Sequence, residues 1–248
     1  MEDLMTRISA ESAYGSSSAA LELELVAPES SYGASDFGIF SSSPVESWRY
    51  LLIKRLIDVV SSAFLIALFA IPSIFIAIVI RCTSEGPVFY REERIGRYGR
   101  VFRIWKFRSM YRSAPERARI EGSHTGVLEW RMRKHAGDPR ITPIGRFLRR
   151  WSLDELPQLI NVFRGEMSLV GPRPIVEVET GFYGKLLSYY LAVNPGLSGL
   201  WQVSGRSEIG YAQRAQLDAL YVGTWSLRSD CTILYRTLPA VLSRRGAH

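Results

Sequence analysis

Cysteine and histidine are scarce in this chain. Its 248 residues hold two Cys, Cys82 and Cys231, and three His, His124, His135 and His248. Two thiols this far apart build no disulfide framework, and no spacing among these residues fits a zinc site or a Ser–His triad. That usage suits a reducing compartment. Positive charge is nearly missing from residues 1–47, where Arg7 stands alone against eight carboxylates, a net −7. The whole chain is +7, so residues 48–248 carry +14. A body this basic attracts phosphate-bearing substrates, an anionic membrane surface or nucleic acid. The acidic start lacks a basic flank and an apolar core, so it is not a signal peptide. Its Ser, Ala, Glu and Gly leave little to bury, and residues 1–47 are expected to be a disordered acidic tail.

Charge of either sign is missing from Val59 to Ile80. A helix of that length reaches roughly 33 Å, the thickness of a hydrocarbon core. Lys54 and Arg55 flank one end; Arg81, Arg91, Arg94, Arg97 and Arg100 follow the other. The positive-inside rule draws both ends to the cytoplasm. Pro72 lies inside the run and removes a backbone hydrogen bond, which bends a helix. On these facts a helix that dips into one leaflet and returns, and an ordinary span with a tolerated proline, both stand. Asp58 is expected to pair with the Lys54–Arg55 cluster near the interface.

Beyond residue 85 the pattern turns mixed. Gly86-Pro87 marks a turn, and Val88–Tyr90 with Val101–Arg108 reads as a hairpin across Gly96 and Gly99. Its second strand places Lys106 and Arg108 on one face. Residues 144–150 read as a basic amphipathic helix, and 152–163 as a helix stopped by Gly165. Residues 176–192, 209–221 and 225–242 read as further helices. The last has aromatic side chains beside Arg228 and Arg236, as a helix lying on a membrane surface does, with Pro239 bending it.

Asp154 and Glu155 are adjacent, directly after Arg149 and Arg150. Ser152 and Glu155 match a capping box, which is a structural role. The same helix start keeps a carboxylate ionised and welcomes phosphate, which is a catalytic one. Lys106, Arg108, Arg149, Arg173 and Arg206 are candidate phosphate ligands, because guanidinium groups grip phosphate bidentately. Gln202 and Arg206 share a Gly-containing loop, 199–206, that lets backbone approach a ligand. A divalent ion would reconcile carboxylates with phosphates, and Mg²⁺ is the natural choice.

Several segments together resemble one family. They are Lys54-Arg55-Leu56-Ile57-Asp58, Gly86 to Tyr90, Arg94-Ile95-Gly96, Phe102 to Met110, Asp138 to Thr142, Leu148 to Asn161, Met167 to Pro174 and Pro195 to Arg206, in that order. The chain resembles the bacterial small monotopic phosphoglycosyl transferases, the undecaprenyl-phosphate sugar phosphotransferase type, over nearly everything beyond the acidic tail. That resemblance implies transfer of a sugar 1-phosphate from a nucleotide diphosphate sugar to polyprenyl phosphate, a first membrane step of glycan synthesis. It implies Asp154 as nucleophile, Glu155 as its partner, Mg²⁺ as cofactor held by Asp154 and Glu155, and Lys106, Arg108, Arg149, Arg173, Gln202 and Arg206 around phosphate and nucleotide. It also implies a re-entrant helix broken at Pro72, on the cytoplasmic face of the bacterial inner membrane.

The expected fold class is therefore mainly α with a small β-hairpin: a monotopic membrane protein with a re-entrant membrane helix and amphipathic interfacial helices. The expected division is tail 1–47, membrane helix 48–85 and catalytic domain 86–248. Many relatives place Ser before the breaking proline; here Ile71 precedes Pro72 and Ser73 follows. Larger relatives carry several N-terminal spans, so the chain is expected to be the catalytic part alone. The expected partners are the nucleotide sugar, polyprenyl phosphate and membrane lipid, with a homodimer left open and no nucleic acid. A rival from another class is a non-catalytic basic anchor that binds anionic lipid or polysaccharide. Nucleic-acid binding gives the apolar run and the carboxylates no role, and the cytidine-linked alcohol phosphotransferases need several Asp along one helix.

Overall fold

The charge-free run folds as two helices in the computed structural model, which describes Val45, residues 47–112, Asp138, 140–204 and 210–242. The tail apart from Val45 and Ser47, the segment 113–137, Arg206 and all three histidines lie outside those residues. Helix α1 spans Trp48–Leu68, with the Ser47 hydroxyl accepting from the Tyr50 N–H at 3.1 Å. Helix α2 spans Ala70–Thr83, and the two axes meet at 59°. The break falls at Phe69, three residues before Pro72. Pro72 has no N–H to give the Leu68 carbonyl four residues back, and its ring crowds that carbonyl. Taken singly, neither described helix is long and apolar enough to cross a membrane; the bent pair is, by length and composition.

Helix α1 is turned inside out. Lys54, Asp58 and Ser62, four residues apart and so on one face, are buried. Trp48, Leu52, Leu56, Val60, Phe64 and Leu68 are exposed, and on α2 so are Ile71, Ile74, Phe75 and Ile78, with Ile71 reaching 80%. Each such side chain left in water forgoes about 1.5–3 kcal/mol. A continuous apolar face of this kind marks a contact surface. Asp58 does not pair with its own neighbours as expected. It accepts from the Ser168 hydroxyl at 3.0 Å and the Leu169 N–H at 2.9 Å, while Lys54 donates to Asp230 at 2.6 Å. Arg55 donates to the carbonyls of Val162 and Phe163.

The expected hairpin is present: β1 (Phe89–Ile95) pairs antiparallel with β2 (Val101–Phe107), Phe89 opposite Phe107 and Ile95 opposite Val101. Phe102 and Ile104 are buried beneath it, and Arg91 stacks on the outward Trp105 ring at 3.4 Å. Helix α3 (Pro143–Arg150) starts where the Thr142 hydroxyl accepts from the Gly145 N–H at 2.9 Å. Helix α4 (Gln158–Arg164) ends at Gly165, whose φ of 82° supplies the left-handed stop.

Two short strands, β3 (Ser168–Val170) and β4 (Gly196–Ser198), pair in parallel, a feature the sequence pattern did not announce. The helix expected over 176–192 is a 3-10 segment, Glu177–Leu186, kinked at Gly184, followed by α5 (Leu187–Ala192). A four-residue helix α6 (Leu200–Val203) stands where a loop was expected. Helices α7 (Tyr211–Gly223) and α8 (Leu227–Leu242) close the domain, α8 running through Pro239 and exposing Leu227, Tyr235 and Leu238. The main core joins Phe102, Ile104, Leu159, Val162, Met167, Leu169, Tyr221 and Ile233. A second cluster, Ile76, Ile80, Phe107 and Leu148 with Leu153 and Leu156 against it, seats the Asp154 turn on the end of α2.

Candidate active site

Asp154 and Glu155 do not open a helix. They sit on a 3-10 turn, Leu153–Glu155, and α4 begins only after Pro157. The capping box fails with it. Ser152 has φ 55° and ψ 20° and its hydroxyl makes no cap bond. It occupies the left-handed position that follows α3, where a side chain costs about 1–2 kcal/mol. The chain reverses there, and the reversal brings the two carboxylates back towards the hairpin.

Three elements converge on the pair. From β2, Lys106 donates to Glu155 Oε1 at 2.8 Å. From the end of α3, Arg149 faces Asp154 electrostatically, and its Nε donates to Ser109 Oγ at 2.8 Å. Asn161, fully buried in α4, accepts from the Trp105 N–H at 3.0 Å and donates to the Arg103 carbonyl at 2.9 Å, which locks α4 to β2. Gly145 lets α3 approach: a Cβ there would lie 1.9 Å from the Ser109 carbonyl oxygen.

Asp154 is only 8% exposed. Burial, then the Glu155 charge, raises its carboxyl to about 6, against the pull of Lys106 and Arg149. Burial likewise lowers the Arg149 guanidinium, opposed by Asp154 and Asp138. Asp138 is gripped by Arg140 through both carboxylate oxygens. Burial pushes the Asp138 carboxyl up, but those bonds outweigh it and hold it low.

Beside Glu155 opens a cleft of about 270 Å³, mouth included, lined by Lys106, Arg94, Arg173, Gln158 and Gln202. Three cations and one carboxylate line it, so the cleft carries a net positive charge that favours an anion. Arg94 lies in a segment that carries the family resemblance but is not among the expected phosphate ligands; the pairing of β1 with β2, and its bonds to Glu92 and to the Pro174 carbonyl, bring it here. Arg173 stands 5.8 Å from the Trp201 ring, and Gln202 donates to the Leu197 carbonyl at 3.1 Å. Arg108 goes elsewhere. Only 7% exposed, it donates to the Ser84 carbonyl at 2.7 Å and the Ser84 hydroxyl at 2.8 Å, closing the end of α2. Burial and then Arg81 lower its guanidinium. Pro72 lies in the first turn of α2, three residues past the break at Phe69.

Among the described residues no group of three or more His, Cys, Asp and Glu could hold a metal alone. Asp154 and Glu155 are adjacent carboxylates, the oxygen donors that Mg²⁺ takes together with substrate phosphates.

The model of the family described as bacterial sugar transferase matches residues 49–244. The exopolysaccharide production protein ExoY of Rhizobium meliloti strain 1021 is 42% identical over 200 residues, covering 79% of this chain and 88% of that protein. An undecaprenyl-phosphate galactose phosphotransferase of Salmonella typhimurium strain LT2 is 44% identical over 200 residues, 79% of this chain and 42% of its own length. A UDP-glucose:undecaprenyl-phosphate glucose-1-phosphate transferase of Caulobacter vibrioides is 40% identical over 205 residues, 79% of this chain and 72% of its own.

Proposed function

The chain belongs to the bacterial sugar transferase family, and on that premise we propose that it is a polyprenyl-phosphate sugar phosphotransferase acting through a covalent aspartyl intermediate. The donor is a nucleoside diphosphate sugar, with a uridine nucleotide suggested by the Caulobacter relative's name. The acceptor is undecaprenyl phosphate, as in the names of the Salmonella and Caulobacter relatives. The product feeds exopolysaccharide synthesis, which the Rhizobium relative's name mentions.

One observation carries the reading: a buried carboxylate, Asp154, feels the charges of both Lys106 and Arg149, and Glu155 beside it lines a cationic cleft. An Asp154 oxygen attacks the sugar-bearing phosphorus of the donor. The bond from that phosphorus to the bridging oxygen breaks, and the nucleoside monophosphate leaves with the electron pair. A phosphate oxygen of the acceptor then attacks the same phosphorus. The acyl phosphate bond breaks, Asp154 is restored as carboxylate, and a polyprenyl diphosphate sugar departs. Lys106 holds Glu155 in place; Arg94, Arg173 and Gln202 orient the donor. Mg²⁺, held by Asp154, Glu155 and phosphate oxygens, would neutralise the charge that builds on the phosphoryl group.

The bent α1–α2 pair enters and leaves the cytoplasmic leaflet of the inner membrane, with Pro72 at the turn. Its outward apolar face and inward polar stripe support that placement, since only lipid accepts the first and only protein the second. Exposed Leu227, Tyr235 and Leu238 on α8 support an interfacial helix.

The test is to supply donor labelled on the sugar phosphate, without acceptor, and to map the label by peptide mass spectrometry. Label on Asp154, chased off by undecaprenyl phosphate, is expected. Substantial turnover by Asp154→Asn would sink the nucleophile assignment. A non-catalytic anchor would release no nucleotide with any donor.

A further inference from the structure

Ser109 lies at the end of β2, is buried, and has no part in the chemistry above. Its mount is rigid. The Ser109 carbonyl accepts from the Thr142 N–H at 3.0 Å and the Thr142 hydroxyl at 3.4 Å, and Gly145 packs directly on it. Its hydroxyl accepts from Arg149 Nε at 2.8 Å. The Arg149 side chain makes no other hydrogen bond among the described residues.

A guanidinium is planar and conjugated, so fixing the Nε–H direction fixes both Nη groups. One edge is then spent on Ser109, and the terminal fork of two parallel N–H groups remains for a bidentate partner. Asp154, Asp138 and Glu155 all act on Arg149 through their charge, yet none is bonded to its side chain. A free fork, held beside a buried carboxylate, suits two oxygens of one phosphoryl group.

We propose that Ser109 is a positioning residue: its hydroxyl holds Arg149 by Nε so that the Nη fork meets the phosphoryl oxygens in transit to and from Asp154. What the fork grips rests on the phosphoryl-transfer reading; the Ser109–Arg149 geometry does not. The role is worth most in the transition state, where charge on those oxygens is greatest.

The experiment uses the full chain in nanodiscs and the variants Ser109→Ala, Ser109→Thr, Arg149→Lys and the Ala/Lys double. Ser109→Ala is expected to lower kcat by about tenfold with little change in KM, the loss of one charge-assisted hydrogen bond. Ser109→Thr keeps the hydroxyl and restores the rate. In the Arg149→Lys background, where no Nε exists, Ser109→Ala should cost less than about twofold. An equal cost in both backgrounds overturns the proposal. A second readout needs no turnover: inorganic phosphate is titrated while the Arg149 Nε–H resonance is followed by NMR. Ser109→Ala should shift that resonance and weaken phosphate binding; unchanged affinity overturns the proposal even if the chain has another activity. If Ser109→Ala folds poorly, Ser109→Thr against Ser109→Val, alike in shape and different in the hydroxyl, makes the same comparison.

Discussion

Lys106 Nζ donates to Glu155 at 2.8 Å and so serves the more exposed of the two adjacent carboxylates, while Asp154 feels it only through space. The division leaves Asp154 about 6, a carboxyl that is half protonated in mild acid. Lys106 lowers that value, so Lys106→Met is expected to raise it. The check is a carbon-13 titration of the Asp154 carboxyl in EDTA, comparing parent and variant. A midpoint that stays put or falls refutes the assignment. In turnover, the acid limb of kcat/KM moves to higher pH in the variant, because attack needs the ionised carboxylate.

Ser152 offers a test of backbone geometry against side-chain capping. With φ 55° and no cap bond, Ser152→Gly is expected to leave stability within about 0.5 kcal/mol of the parent, and Ser152→Val to lower it by about 1–2 kcal/mol. Thermal melts in detergent decide this. A large loss on Ser152→Gly would revive the capping role.

Gly145 has no room for a methyl group against the Ser109 carbonyl oxygen. Gly145→Ala is expected to push α3 off the end of β2, to cost about 1–3 kcal/mol in stability, and to take Arg149 with it. Melting temperature and turnover should both fall; normal turnover would show that the contact is slack.

Buried Asp218 sits under Tyr183, whose hydroxyl donates to it at 2.8 Å. Burial raises its carboxyl to about 7, opposed by that bond and by Arg214. The folded state therefore holds a proton that the unfolded chain releases near 4. Stability from this group is full below about pH 4 and is lost as pH rises through about 7. Asp218→Asn should flatten that fall and gain roughly 2–4 kcal/mol at pH 8. Denaturation at pH 5 and pH 8 checks it: equal pH slopes in parent and variant would refute it.

Lys54 and Asp230 form a buried pair at 2.6 Å, and Asp230 also accepts from the Tyr221 hydroxyl and the Trp225 indole N–H. Lys54→Met is expected to cost about 3–5 kcal/mol, because Asp230 stays buried without its cation. Adding Asp230→Asn should recover part of that loss. Melts of the two variants side by side test it, and an additive penalty would argue that the ions do not act as a pair.

Local chemistry was legible in the sequence. Pro72 announced the bend, the Gly96–Gly99 stretch the hairpin, and Gly165 a helix stop, because each acts through its own backbone. What escaped depends on distant partners. Asp58 looked satisfied by Lys54 and Arg55 beside it, yet its donors are Ser168 and Leu169. Strands β3 and β4 are three residues each, too short for alternation to register, and their pairing closes through the chain between them. Arg94 reaches the cleft only by register across the hairpin. Ser152 misled for a different reason. Its spacing to Glu155 fits a capping box, and nothing local tells that pattern from a left-handed residue following the previous helix. For the carboxylates, sequence named the residues; their 3-10 setting and the Lys106 contact needed the fold.

The inward stripe on α1 also orders events in time. Asp58 meets its donors 110 and 111 residues later, and Lys54 its acceptor 176 residues later. At ribosomal speeds of about 5–20 residues per second, Lys54 waits roughly 10–35 seconds for Asp230 to be made. Until Ser168 and Leu169 are made the nascent helix carries an unmatched cation and an unmatched anion, four residues apart, and from then until Asp230 only the cation is unmatched. At first they have only each other to lean on, so nothing fixes the helix in its final packing. Its final rotation against the domain is fixed only when α8 arrives, and ribosome pausing before Asp230 should prolong a loosely packed, protease-sensitive state.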